Sequence, residues 1–289
     1  MSGRKGNDVF ASGESAASGW AGPTSNVMKD EFGLDIPIES VPIPSMGVVY
    51  PPDHPLHNVE TIDIKPMTAR EEDILTSKAL IKKGTVISEL LRSCIIDKRI
   101  NPDDMIIGDR NAVMVSLRIT GYGSDYRVEV GCPNCGEKSK QEFDLAELPI
   151  KRIENQPVAD GANVFEVQMP KRHDKDADIK IRYRFLTGKD EQAISTMNER
   201  RKKQGYSSDN LITQRYQHQI VAVNDITDKT KIQMFCQKMP TRYSRALRKS
   251  MDSNEPGVEM KSHIRCPHCF EESEVSLPLG ASFFWPDAE

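Results

Sequence analysis

Two cysteine pairs constrain this chain more than any other feature: Cys132-Pro133-Asn134-Cys135 and Cys266-Pro267-His268-Cys269. Each is a C-P-x-C unit set between two strand-like runs and followed by a residue that suits a tight turn or a sheet edge, Gly136 or Phe270. Four thiolates supplied in twos by separate β-hairpins are the usual way to hold a tetrahedral structural zinc. The pattern therefore predicts a zinc site built from Cys132, Cys135, Cys266 and Cys269. The stretch between the pairs is far longer than the roughly 15–20 residues of a short zinc ribbon, so a shared ion would clamp distant parts of the chain together.

Such a site is coordinatively closed and leaves no position for water or substrate. Two other readings remain open: two independent redox pairs, or four reduced structural thiols. Neither pair opens a helix after a βαβ strand, as a thioredoxin-like motif would. His263 and His268 lie close by, but four cysteines complete a ligand set, so both histidines are expected beside the ligands or facing solvent. Cys94 and Cys236 are single cysteines on helix-like segments and read as buried small hydrophobes.

The formal charge of -4 argues against broad nucleic-acid binding. No apolar run approaches the roughly 20 residues that span a bilayer, and residues 1–25 lack the apolar middle of a signal peptide. The expectation is a soluble chain assembled in the cytoplasm, where disulfides are disfavoured and paired cysteines lean toward metal. G-x-S-x-G, P-loop, G-x-G-x-x-G and H-E-x-x-H motifs are all missing, so no enzyme is predicted. Glu71, Glu72 and Asp73 are explained by the positive end of a helix.

Along the chain the predicted organisation is α+β. Residues 1–30 are rich in Gly, Ser and Ala and cannot bury enough apolar surface to offset their ordering entropy, which predicts a disordered or partner-ordered arm carrying Trp20. Residues 31–66 read as a proline-rich extended strap, with Pro37, Pro42 and Pro44 ruling out helix and central strand. A helical unit follows over 67–123, opening on the capping box Thr68-Ala69-Arg70-Glu71. The first cysteine hairpin and a β region take residues 124–186. Residues 187–256 form a helical insertion, including 209–223, and residues 257–289 hold the second hairpin and an aromatic tail. The basic residues at 200–203 and Arg242, Arg245, Arg248 and Lys249 fit helix-terminal or exposed faces. Phe283, Phe284 and Trp285 are expensive to expose, so they either fold back on the core or dock into another protein; docking is the expectation, with Trp20 as a second contact.

The run from Met67 to Leu75, the segment from Ile87 to Cys94 and the strand entering Cys132-Pro133-Asn134-Cys135 together resemble the base plate hub proteins of contractile-tailed phages of the T-even type. Members of that family share a T-x-R-E-E helix start, a second short helix and a strand leading into C-P-x-C. The likeness covers about residues 66–280 and leaves the proline-rich strap outside. It implies a non-enzymatic protein of the virion tail base plate. Composition alone adds the expectation that the strap and the aromatic tail bind other tail proteins, with no membrane and no nucleic acid among the partners. Two alternatives stand beside it. One is a zinc-ribbon nucleic-acid-binding or transcription-associated protein; the other is a hub assembly chaperone absent from the mature virion.

Overall fold

The computed structural model describes residues 26–29, 32–33, 35–171, 173, 177–204, 211–279 and 281–284. Trp20, Trp285 and the arm up to residue 25 lie outside the described residues. Within them the chain is a mixture of helices and small antiparallel sheets.

The first sheet takes β1 (Asn26–Lys29), β2 (Asp35–Pro42) and β3 (Thr61–Ile64) in that spatial order. Here the structure corrects an expectation, because the proline-bearing β2 is the central strand. Its two partners use different halves: β1 pairs with residues 35–38 and β3 with residues 39–42. Pro37 and Pro42 therefore each face a partner on one edge only, and the missing N–H is tolerated. The loop between β2 and β3 lies on the chain's own body, burying Ile43, Val49, Tyr50 and Leu56.

The helical unit follows as α1 (Ala69–Thr76), α2 (Lys78–Lys83), α3 (Val86–Cys94) and α4 (Ile107–Tyr122). The capping box forms as read, with the Thr68 N–H donating to Glu71 at 2.9 Å. Ser77 adopts an extended conformation and separates α1 from α2. The centre of the molecule is α4. Ala112, Val113, Val115 and Leu117 are fully buried on successive faces, which marks a helix enclosed on all sides. Gly108 in its first turn lets the backbone at Pro256 and Gly257 come close: a Cβ there would sit 1.7 Å from the Pro256 carbonyl oxygen.

Two antiparallel strands, β4 (Asp125–Gly131) and β5 (Lys138–Asp144), make the first cysteine hairpin, and β6 (Ile150–Lys151) follows. Next come β7 (Phe165–Gln168) and β8 (Lys180–Tyr183), then α5 (Gly188–Lys203) and α6 (Leu211–Gln219). The predicted helix over 209–223 does not continue: its end is the strand β9 (Ile220–Val223), which adds to β8. Ile220, Val221 and Val223 are β-branched, and an exposed strand edge beside them outweighs the helical pattern upstream. After α7 (Lys229–Lys238) and α8 (Thr241–Asn254), β10 (Gly257–Val258) pairs with β6. The long segment between the hairpins thus leaves and returns through one short ladder. Finally β11 (Lys261–Arg265) and β12 (Glu272–Ser276) form the second cysteine hairpin.

The tail past β12 corrects the docking expectation for Phe283 and Phe284. Both rings are fully buried in the chain's own core. Phe283 meets Tyr126 edge-on at 5.1 Å, and its carbonyl accepts from Arg118 Nε at 3.1 Å. Arg118, itself buried, also donates to the carbonyls of Gly123 and Asp125. A buried guanidinium needs several acceptors, and the returning tail supplies one of them.

Candidate metal centre

Each cysteine pair occupies the tip of a hairpin whose ladder fixes its direction. In the first turn the Cys132 N–H donates to the Glu137 carbonyl at 2.9 Å and the Gly136 N–H to the Cys132 carbonyl at 2.9 Å. The second turn repeats this pattern, Cys266 to Glu271 at 3.0 Å and Phe270 to Cys266 at 2.9 Å. The two tips face each other. Cys132 Sγ lies 3.8 Å from Cys269 Sγ, and Cys135 Sγ lies 3.7 Å from Cys266 Sγ, across sequence separations of 137 and 131 residues. All four sulfurs lie within 4.8 Å of one another. A disulfide would bring a pair to about 2.05 Å, so these are separate thiols gathered around a common point.

Cys132 and Cys266 are buried, Cys269 is half-buried and Cys135 is exposed. Polar hydrogens converge on the cluster. The His268 N–H donates to Cys266 Sγ at 3.4 Å, and Asn134 Nδ2 donates to Cys269 Sγ at 3.6 Å. The N–H groups of Cys135 and Asn134 favour the Cys132 thiolate and draw its thiol down to about 6. Cys135 goes the other way: the Glu137 N–H favours its thiolate, but partial desolvation and the adjacent sulfurs push it up to about 12. Four crowded sulfurs do not all ionise without a cation among them. The donor set, its spacing and its closure fit one metal ion. The side chains of His263 and His268 are exposed.

The two remaining cysteines behave differently. Burial pushes the Cys94 thiol up to about 12 and Cys236 up to about 11, as expected of small hydrophobes in a core. The basic residues Arg245, Arg248 and Lys249 lie exposed along α8, whose other face buries Tyr243, Leu247 and Met251.

Sequence reasoning missed two buried carboxylates. Asp109, fully buried at the start of α4, accepts from Ser45 Oγ at 2.6 Å, the Ser45 N–H at 2.9 Å and the Tyr50 hydroxyl at 2.7 Å. It ties the loop after β2 to the central helix. Burial raises its carboxyl to about 6 against the pull of those donors. Glu71, in the sequence, shows only as a cap. Burial opposes its ionisation, but donors on Ser93, Thr68 and Lys65 outweigh that and hold it at about 2. The partners of both groups include residues more than 20 positions away, and nothing local announces them.

The model of one protein family, T4 bacteriophage base plate protein, matches residues 52–285. The chain belongs to that family. Neither a curated protein nor a solved structure matches it. The match covers both hairpins and begins at residue 52, so it includes the end of the proline-rich segment that the resemblance had left out. Membership in the T4 base plate family makes this a structural protein of the phage base plate rather than an enzyme, and places it in the virion tail among other tail proteins. Among the described residues, no helix is long and apolar enough to cross a membrane.

Proposed function

We propose that the chain is a structural adaptor at the hub of the base plate, that one zinc ion held by Cys132, Cys135, Cys266 and Cys269 closes its fold, and that it stays in the finished tail in contact with neighbouring proteins. The carrying observation is the meeting of the two tips. Thiolates about 2.3 Å from a central zinc define a tetrahedron with edges of about 3.8 Å. The sulfur pairs across the hairpins stand at 3.8 and 3.7 Å. Four sulfurs fill the tetrahedron and leave no open position, so the ion would hold structure rather than perform chemistry. Binding would supply folding free energy on the order of 10 kcal/mol. With Phe283 and Phe284 turned inward, the proposed partner contacts fall to Trp20 and Trp285 at the two ends of the chain.

Elemental analysis of the purified protein tests the zinc, with and without a strong chelator and alongside a melting curve. One zinc per chain, lost together with cooperative melting, is the expected result. Four titratable thiols without metal and unchanged melting would remove it. The place in the particle is tested separately, by mass spectrometry of purified virions: the protein is expected in stoichiometric amount, and its absence would favour an assembly factor that departs.

A further inference from the structure

The two cysteine tips are one turn built twice, and of the two positions at which they differ, Asn134/His268 and Gly136/Phe270, the second is the telling one. The fourth residue after the first cysteine is Gly136 in one and Phe270 in the other. Both hold left-handed backbone, φ 78° and 60°. Glycine adopts this region freely, whereas a bulky L-residue is strained there. Phe270 is also 67% exposed, so its ring does not fill the core. The turn thus carries a strained backbone and an exposed aromatic where its twin shows that glycine serves the fold alone. Strain that persists in this way points to a use outside the fold.

The surroundings say what kind of partner fits. Along the strands the carboxylates are matched: Glu129 pairs with Lys138, Glu142 with Arg127 and Glu274 with Lys261. At the tips Glu137, Glu271 and Glu272 are exposed and have no ion pair among the described residues. We infer that Phe270 is a docking anchor. It inserts into an apolar pocket on a neighbouring base plate protein, and Lys or Arg side chains around that pocket meet Glu137, Glu271 and Glu272. A central aromatic with a charged rim is the usual anatomy of a protein-protein contact. The inference rests on the base plate reading above.

Hydroxyl-radical footprinting of Phe270, in the free protein and in base plates isolated from infected cells, tests it directly. The ring is expected to oxidise readily in the free chain and to be protected several-fold in the assembly. Equal oxidation in both overturns the inference while leaving the base plate reading intact; absence of the protein from every tail assembly overturns that reading itself. Phe270→Gly supplies the second arm. The free variant is expected to keep its metal content and to melt about 2 °C higher, since glycine relieves the strain. Its incorporation into base plates is expected to fall about tenfold or more. A variant that melts several degrees lower, or that assembles as the parent does, overturns the anchor. Sedimentation of the free parent identifies the remaining occupant: a dimer that Phe270→Gly dissolves would make the partner a second copy of this chain and overturn the one named here.

Discussion

Around α4 the chain is held by enclosure. Val113, Val115 and Leu117 are shut in on every side, the returning tail packs Phe283 against Tyr126, and Asp109 pins the loop after β2. At the cysteine tips there is little to enclose. Each hairpin is an isolated two-stranded ladder, and Val130, Phe143, Ile264 and Val275 are among the few apolar side chains it buries. A two-stranded ladder is marginal in water, so these hairpins depend on their shared sulfurs and on links such as Tyr126 Oη to the Pro278 carbonyl at 2.9 Å. One part of the molecule gains its stability from apolar burial; if the other gains it from the proposed ion, the two should fail under different insults.

The largest separation is expected on losing the ion. Cys266→Ser or chelation removes binding free energy on the order of 10 kcal/mol. Amide hydrogen exchange should then show β4, β5, β11 and β12 unprotected while α4 keeps its slow amides. Simultaneous collapse of α4 would break the comparison. The reverse insult is Leu117→Ala, which empties space beside a fully buried residue and should cost about 2–5 kcal/mol in denaturant unfolding. Its zinc content should stay at one per chain.

Acid separates the two regions by sign. Folded Asp109 ionises near 6 against an ordinary value of 3.8, so between these values the unfolded chain binds fewer protons than the folded one. Stability from this group is therefore fully present below about pH 4 and is lost as pH rises through 6, a contribution of about 3 kcal/mol. The thiolates respond oppositely, since protons compete with metal. Urea unfolding of the chelated protein from pH 7 to pH 4.5 should show the Asp109 contribution as the difference from Asp109→Asn; in a separate, unchelated sample the hairpins should weaken over the same range. A pH profile identical in parent and variant would sink the assignment. At the small end, Arg127 and Glu142 pair at 3.1 Å on the exposed face of the first hairpin. Arg127→Ala should change stability by less than about 1 kcal/mol.

What could be read from the residues alone follows the reach of each interaction. The cysteine units, the capping box at Thr68 and Glu71 and the turns beside Gly136 and Phe270 announce themselves within five residues, and they stand where the sequence places them. β9 and β10 are decided by the strands they pair with, β8 and β6, and a local pattern does not contain them. The same holds for Asp109, whose partners Tyr50 and Ser45 lie 59 and 64 positions away. The burial of Phe283 was undecidable for a similar reason: its acceptor role for Arg118 spans 165 positions. The convergence of the sulfurs was legible as chemistry, because ligand type and spacing imply a missing second pair even when distance along the chain hides it.

The separation of the two tips also sets an order in time. Ribosomes add about 5–20 residues each second, so the 131 positions between Cys135 and Cys266 take roughly 7–26 s to make. For that interval the nascent chain displays half a ligand set, two thiols with no counterpart. Everything from β6 to β10 emerges before the second pair. An ion shared by all four sulfurs, as proposed above, would therefore join the tips only after the intervening segment has had its chance to fold, as a late event in the making of the chain.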